Sequence, residues 1–533
     1  MAQPPLVTNF RDAIDLPQWR SIANAISGNA AGSYMAYDMR GDKSCHPLTY
    51  YLLSSSVLQT YNQKNNEWVQ LASPGLAGTF GVGAAAIFHP SQGPRGTLAS
   101  ATTTTVTLTT ALPAAVGINQ LANRGDGQGF RIRIVGNHAA GAGKTEEAYI
   151  IGNTSGTTPV ITLDRTLSFT PASGDAYEII SGRVFLLGAG TTAAGTWKYY
   201  DIATNSYSGN LLTTNLPVTV GTDSCLVAMS EAYVPYTNVP GQGHVSGASN
   251  YSNSTTSPMA IPCLSATASA AATITGQSAA GDAAVRTNQY RNFQIRIVED
   301  TGTPTAAGQR RNITSHTAGA SAVYTVPAWT VQPSATAKFV IEPNDDLILL
   351  WSSAVVTTFT YSISGNAWDA STTFASRGSA VGAGCKAELA FGITDPTGNV
   401  NNGMIYSLRG GSSSMDVLDI TAGTNGVWAN AVTYGGLTAS FSSGSAESYD
   451  PLTNQGRYIY LNQNASQRNY RFDMLNRVLE PWAFLNFAQG GTTSVGERSF
   501  CIFYFDPSST ARLSQWAQVR NSTVEAWSTV IQR

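Results

Sequence analysis

An aromatic residue seven positions after a strand-ending tyrosine recurs along this 533-residue chain, and that recurrence limits the fold more than any single motif does. Tyr61 leads to Trp68, Tyr200 to Tyr207 and Tyr361 to Trp368. Looser copies run from Leu418-Asp419 to Trp428, and from Phe472-Asp473 to Leu479 and Trp482. An apolar strand precedes each: 50–53, 183–187, 347–351, 403–408 and 457–461. A long-period repeat of this kind marks one supersecondary unit that cannot bury its apolar face alone and stacks on its neighbours. A polar turn joining two antiparallel strands, with the aromatic packed between adjacent units, suits a four-stranded propeller blade. Phe500 to Phe505 supplies a strand of a sixth unit, and Trp19 belongs to an outermost strand with no blade before it. Pairing that amino-terminal strand with the last blade removes two open edges, which favours six blades with meeting termini. An ordinary sandwich with similar hairpins is the alternative.

A second repeat is independent of the first. Phe130-Arg131-Ile132-Arg133-Ile134-Val135 matches Phe293-Gln294-Ile295-Arg296-Ile297-Val298, and Asn153-Thr154 matches His316-Thr317. Pro171 to Ile179 matches Pro333 to Ile341, and the two Phe-to-Pro spacings agree within one residue. Alternation at 106–108 and 160–163 reads as strand. Two related small β-sandwich or barrel modules are therefore expected at 95–182 and 263–346, inserted in a propeller spread over 1–94, 183–262 and 347–533. Each module follows a first strand (80–88, 224–229) and precedes a second one. Both should then project from one face. The segment 230–262, rich in Tyr, Pro, Gly and Ser, is a long loop of the kind that is usually functional.

Only 12% of residues are charged and the formal net charge is −2. Nucleic-acid binding lacks the basic patch it requires, and no apolar run approaches a membrane span. The amino terminus lacks a charged-then-apolar leader, so synthesis in the cytoplasm without a signal peptide is expected. Five scattered cysteines have no metal-ligand spacing and read as buried free thiols. Gly141-Ala142-Gly143-Lys144-Thr145 imitates a phosphate loop, but His138 stands where the first glycine belongs and a strand follows, so it reads as a surface turn. Arg124-Gly125-Asp126 reads as a turn rather than an integrin motif. The pairs Glu146-Glu147 and Asp345-Asp346 sit on strands, where neighbours point to opposite faces. The turns 395–399 and 450–454 offer oxygen ligands suited to Ca²⁺ or, equally, to Asx hydrogen bonds. No catalytic constellation emerges. The expectation is a non-enzyme without metal or cofactor.

The blade pattern resembles the kelch family of β-propellers, in which a Tyr-Asp pair precedes a turn and a Trp, over residues 18–94, 183–230 and 347–510. The double glycine of that family is only partly matched, by Gly188-Ala189-Gly190 and Gly410-Gly411. The threonine-rich module starts, the Phe-x-Ile-Arg-Ile-Val strand, the run Gly308 to Ser315 and the stretch Trp329 to Pro333 resemble small β domains of tailed-bacteriophage virion proteins. That resemblance implies a structural virion component, with a tail, nozzle or neck ring as first choice. Capsid decoration, a head fibre or a glycan-binding adhesin are the alternatives. It implies as partners further copies of the chain and other virion proteins. Tyr233, Tyr236 and Tyr251 are the candidate contact residues, against a neighbouring subunit or a host surface glycan.

Overall fold

In a computed structural model the chain is all β. The structure describes residues 20–531, apart from 27–33, 38–48, 230–262, 278–286, 395–399, 450–457, 485–497, 506–511, 520–525 and breaks of at most four residues elsewhere. Tyr233, Tyr236, Tyr251 and both candidate Ca²⁺ turns lie outside the described residues. No α-helix occurs among the described residues, and none of their helices is long and apolar enough to cross a membrane.

Among the described residues, six sheets of four or five strands form the body, antiparallel throughout except where Gly435–Gly436 pairs parallel with Val478–Leu479. Their innermost strands, Tyr34–Tyr37, Ala85–His89, Cys225–Ala228, Lys386–Ala390, Ala446–Tyr449 and Arg498–Phe505, neighbour one another in a closed ring, the last returning to the first. This is a propeller, and the sheets are numbered here as blades one to six in that order. The outermost strand of blade six is amino-terminal: Arg20–Ile22 pairs antiparallel with Ala526–Ile531, Ser21 standing opposite Trp527. The ring is thus closed by hydrogen bonds between the two ends of the chain, which covers what would otherwise be the open outer side of Ala526–Ile531.

The repeat works as a hinge of aromatic rings. Tyr61 faces Trp68, Tyr200 faces Tyr207 and Tyr361 faces Trp368 across neighbouring strands, with ring centroids 5.1, 5.2 and 5.2 Å apart. The turn between them places an asparagine in the left-handed region: Asn66, Asn205 and Asn366 at φ 52, 48 and 46°. Each tyrosine hydroxyl donates to that asparagine's Oδ1, at 2.9, 2.6 and 2.6 Å. Asparagine tolerates this conformation better than most side chains, and the bond fixes the turn. In blade four Trp428 faces Leu418 at a longer spacing, because the turn is extended and glycine (Gly426, φ 73°) takes the left-handed position.

Blade five corrects the sequence reading. Leu479, not Trp482, stands opposite Phe472. A bulge between Asn469 and Tyr470 leaves Trp482 as the extra residue, and its ring meets Tyr460 edge-on at 4.9 Å. The seven-residue count from Phe472 lands on Leu479, and the bulge, which puts two residues against one, lies beyond it and takes Trp482 out of the ladder. Three of these aromatics reach the segment arriving from the preceding blade: Trp68 Nε1 donates to Ala23 O at 2.7 Å, Tyr207 Oη to Ala72 O at 2.7 Å and Trp428 Nε1 to Ala375 O at 2.9 Å, whereas the buried Trp368 Nε1 finds no acceptor.

Between the first and second strands of blade two lies a closed six-stranded barrel built from strands between Arg95 and Ile180. Between the corresponding strands of blade three lies a seven-stranded sheet from Cys263 to Pro343. The two end strands of that sheet, Arg310–Asn312 and Ser315–His316, are halves of what is one strand, Thr145–Asn153, in the first barrel. The crossing point is the same in both: Ile150 N–H donates to Phe130 O at 2.8 Å, and Ile313 N–H to Phe293 O at 2.7 Å. The second unit is therefore a barrel of the same design, its closing strand interrupted at Ile313-Thr314.

Candidate functional site: the seam between the barrels

Equivalent positions in the two barrels do equivalent work. Asn119 and Asn288 both adopt left-handed backbone, at φ 59 and 61°. Their Oδ1 atoms accept the Asn153 and His316 amides at 3.2 and 2.8 Å. In return Asn153 Oδ1 accepts Leu121 N–H at 2.9 Å, and His316 Nε2 accepts Tyr290 N–H at 2.8 Å. The sequence match of Asn153 with His316 therefore reflects two side chains that present an acceptor at one place.

The barrels then meet each other. Gly143, at φ 66°, brings its carbonyl to the Asp300 amide at 2.6 Å, and Lys144 bridges antiparallel to Glu299. A Cβ on Gly143 would lie 2.1 Å from Asp300 O, so only glycine admits this approach. The phosphate-loop lookalike is thus corrected from surface turn to seam: Gly143 and Thr145 are buried, and a strand begins at Thr145.

Over this seam lies a charge cluster in a chain otherwise poor in charge. On the strands Arg131–Val135 and Phe293–Glu299 the isoleucines Ile132, Ile134, Ile295 and Ile297 point into the barrel cores, fully buried. Strand alternation sends Arg131, Arg133, Gln294 and Arg296 to the other face. There Arg133 pairs with Glu147 at 2.7 Å and Glu178 at 2.9 Å, and Arg131 with Glu147 at 3.2 Å. Arg310 of the second barrel grips Glu178 of the first with two bonds, 2.7 and 2.9 Å. Arg296 grips Glu342 likewise, at 2.9 and 3.1 Å. Gln294 Nε2 donates to Asp345 at 2.7 Å, and Gln92 Nε2 to the Asp345 carbonyl at 3.1 Å, which ties the cluster to the ring.

Burial alone would raise the Glu178 carboxyl, but Arg310 and Arg133 overcome it and hold it well below the ordinary range. Glu147 and Glu342 are lowered in the same way, by Arg133 with Arg131 and by Arg296. Asp345 goes up instead: burial and the neighbouring Glu342 outweigh the more distant Arg310. Three of the four carboxylates are thus clamped anions, with lone pairs committed to guanidinium groups. Such a cluster fastens surfaces together, and a clamped anion is a poor proton carrier near neutrality.

Sequence reasoning missed this cluster, although the signal was present: two arginines alternating with isoleucines on one strand of a low-charge chain must find buried or shared partners. Other candidates resolve structurally. Glu146 turns away from Glu147 to Arg165 at 3.1 Å, as expected on a strand, whereas Asp345 and Asp346 lie in the turn between two strands, and Asp346 accepts from Ser362 at 2.7 Å. Arg124 is buried, donates to Gln128 at 3.1 Å and lies over the Tyr149 ring. Among the described residues no group of His, Cys, Asp and Glu is arranged to hold a metal ion.

No family model and no curated protein matches this chain. Among solved structures it is similar to a chain of a mitotic checkpoint complex (8% identity, TM-score 0.32, covering 100% of this chain and 96% of that one). It is also similar to the hydrazine synthase of Kuenenia stuttgartiensis (7%, TM-score 0.28, 96% and 97%) and to an auxiliary nutrient binding protein of Bacteroides ovatus (9%, TM-score 0.24, 84% and 97%). These neighbours are propeller-like; none of the three is a phage protein.

Proposed function

We propose that this chain is a non-enzymatic structural component of a tailed-bacteriophage virion, a tail, nozzle or neck protein that assembles into an oligomeric ring. The observation that carries the reading is the joined pair of barrels: two copies of one module, inserted at the same place in consecutive blades and fastened to each other by the half-buried Arg310–Glu178 pair and the backbone bridge at Gly143 and Asp300. A projection so fastened suits shape-complementary contact between subunits, where low surface charge is no handicap. The kelch-like blades give the projection a stiff base, and the module strands resemble those of phage structural proteins. The localisation that follows is the virion, after synthesis in the host cytoplasm. Quantitative mass spectrometry and electron microscopy of purified particles test this. The expected result is a fixed copy number per particle, with density for a ring at the tail or neck. Absence from particles refutes the reading, as does polysaccharide hydrolysis abolished by changing one carboxylate. Density on the capsid surface would favour decoration, and glycan-array binding by the monomer would favour an adhesin.

A further inference from the structure

Blade three begins its innermost strand with Cys225, and blade four begins its own at Lys386, one residue after Cys385. These innermost strands are neighbours in the ring, so both cysteines belong to one inter-blade seam. Both are fully buried, and neither is in a disulfide. They share one core with Val227, Trp351 and Leu389. The Cys385 side chain lies close enough to Cys225 to push its thiol up, together with burial. Arg377 and Lys386 lie close enough to favour a thiolate there, against the opposing effects of the partner thiol and burial. The seam lies diametrically opposite the junction of blades six and one, where the chain ends meet.

We infer that Cys225 and Cys385 are a latent cross-link, forming a disulfide that staples blade three to blade four when the protein meets a small peroxide oxidant. Hydrogen peroxide oxidises one thiol to the sulfenic acid, with release of one water. The second thiol then attacks that sulfur, forms the S–S bond and expels a second water. Two thiols and one peroxide give one disulfide and two waters, and no further oxidant is required. The two cysteines already share one seam and one core, so joining them asks only for local movement of neighbouring strands. Burial keeps the reaction slow until the seam breathes, which separates this pair from an exposed sensor thiol.

The test uses the folded full-length chain treated with dilute hydrogen peroxide, quenched, digested without reductant and analysed by mass spectrometry. The expected product is a peptide pair linking Cys225 to Cys385, lighter by two hydrogens than its reduced parts and restored by dithiothreitol. Cys225→Ser should abolish the link and leave Cys385 trapped as a dimedone adduct. Should that variant fold poorly, Cys385→Ser provides the reciprocal control. In unchanged protein, both thiols remaining free for maleimide after unfolding would overturn the inference. So would links joining either residue mainly to Cys45, Cys263 or Cys501.

Discussion

Replacing Glu178 by glutamine removes one charge and little volume from the seam. The carboxylate accepts two bonds from Arg310 and one from Arg133. Arg310 is largely buried, and its next anions, Glu342 and Asp345, are both 3.9 Å away. Breaking a buried ion pair by removing one partner costs about 3–5 kcal/mol, because a guanidinium is left uncompensated. The two distant anions offset part of this, so the lower end, about 3 kcal/mol, is expected. At about 1.4 kcal/mol per decade, local opening of the seam should become roughly a hundredfold more frequent. Native-state hydrogen exchange of strands 176–180 and 293–299 reads this locally, and does not require two-state unfolding of so large a chain. Arg310→Met should cost a similar amount. The Glu178→Gln/Arg310→Met double variant should lose far less than the sum, since neither charge is then stranded. A change below about 1 kcal/mol for Glu178→Gln, typical of a surface pair, or strict additivity in the cycle, would refute the view that this pair welds the barrels.

Acidification offers a second check. Glu147, Glu178 and Glu342 have lowered carboxyls, so the stability they contribute is complete above the unfolded value of about 4.3 and is lost as pH falls toward their folded values. Asp345 is raised and works the other way, gaining stability on protonation, so it blunts the loss by one group. Seam protection, corrected for intrinsic exchange, should be flat from pH 7 to about 5 and fall only below about 4; a fall centred near pH 6 would contradict this. Tyr200→Phe removes the 2.6 Å bond to Asn205 at constant ring packing and should cost about 1 kcal/mol in blade two, read by exchange of Ser206 and Tyr207. Gly143→Ala should loosen the seam by about 2 kcal/mol or more through its clash with Asp300 and its positive φ, while leaving exchange in blades four to six unchanged.

What could be read from sequence was whatever depended on short spacing. Tyr61 with Trp68 is a local turn, and its chemistry fixes its length, so the blades were visible. Phe130 to Val135 and Phe293 to Val298 were visible because one strand's alternation is complete within six residues. Asn66, Asn205 and Asn366 were equally readable, five residues after each tyrosine, because the same short turn fixes their place. Trp482 was misplaced because the repeat position after Phe472 carries an aliphatic residue, Leu479, and the aromatic three residues on belongs to a bulge. Arg310 with Glu178 was beyond reach in principle, since 132 residues separate them and only folding of both barrels makes them neighbours.

The doorway through which each barrel joins the ring has a consequence for how such a chain can grow. His89 and Arg183 are cross-strand partners, as are Ala228 and Ile348, so each insert leaves and re-enters the ring about one ladder rung apart. The entropy of closing a loop rises only with the logarithm of its length, and a folded barrel holds its own ends together. The ring therefore scarcely registers how much chain has been spliced in. Blade four carries a two-stranded hairpin, Ile393–Thr394 with Val400–Asn401, in the same loop, behind the partners Ala390 and Met404. It is a socket holding a stub where its neighbours hold whole domains, and the place where cargo can be grafted without redrawing the ring.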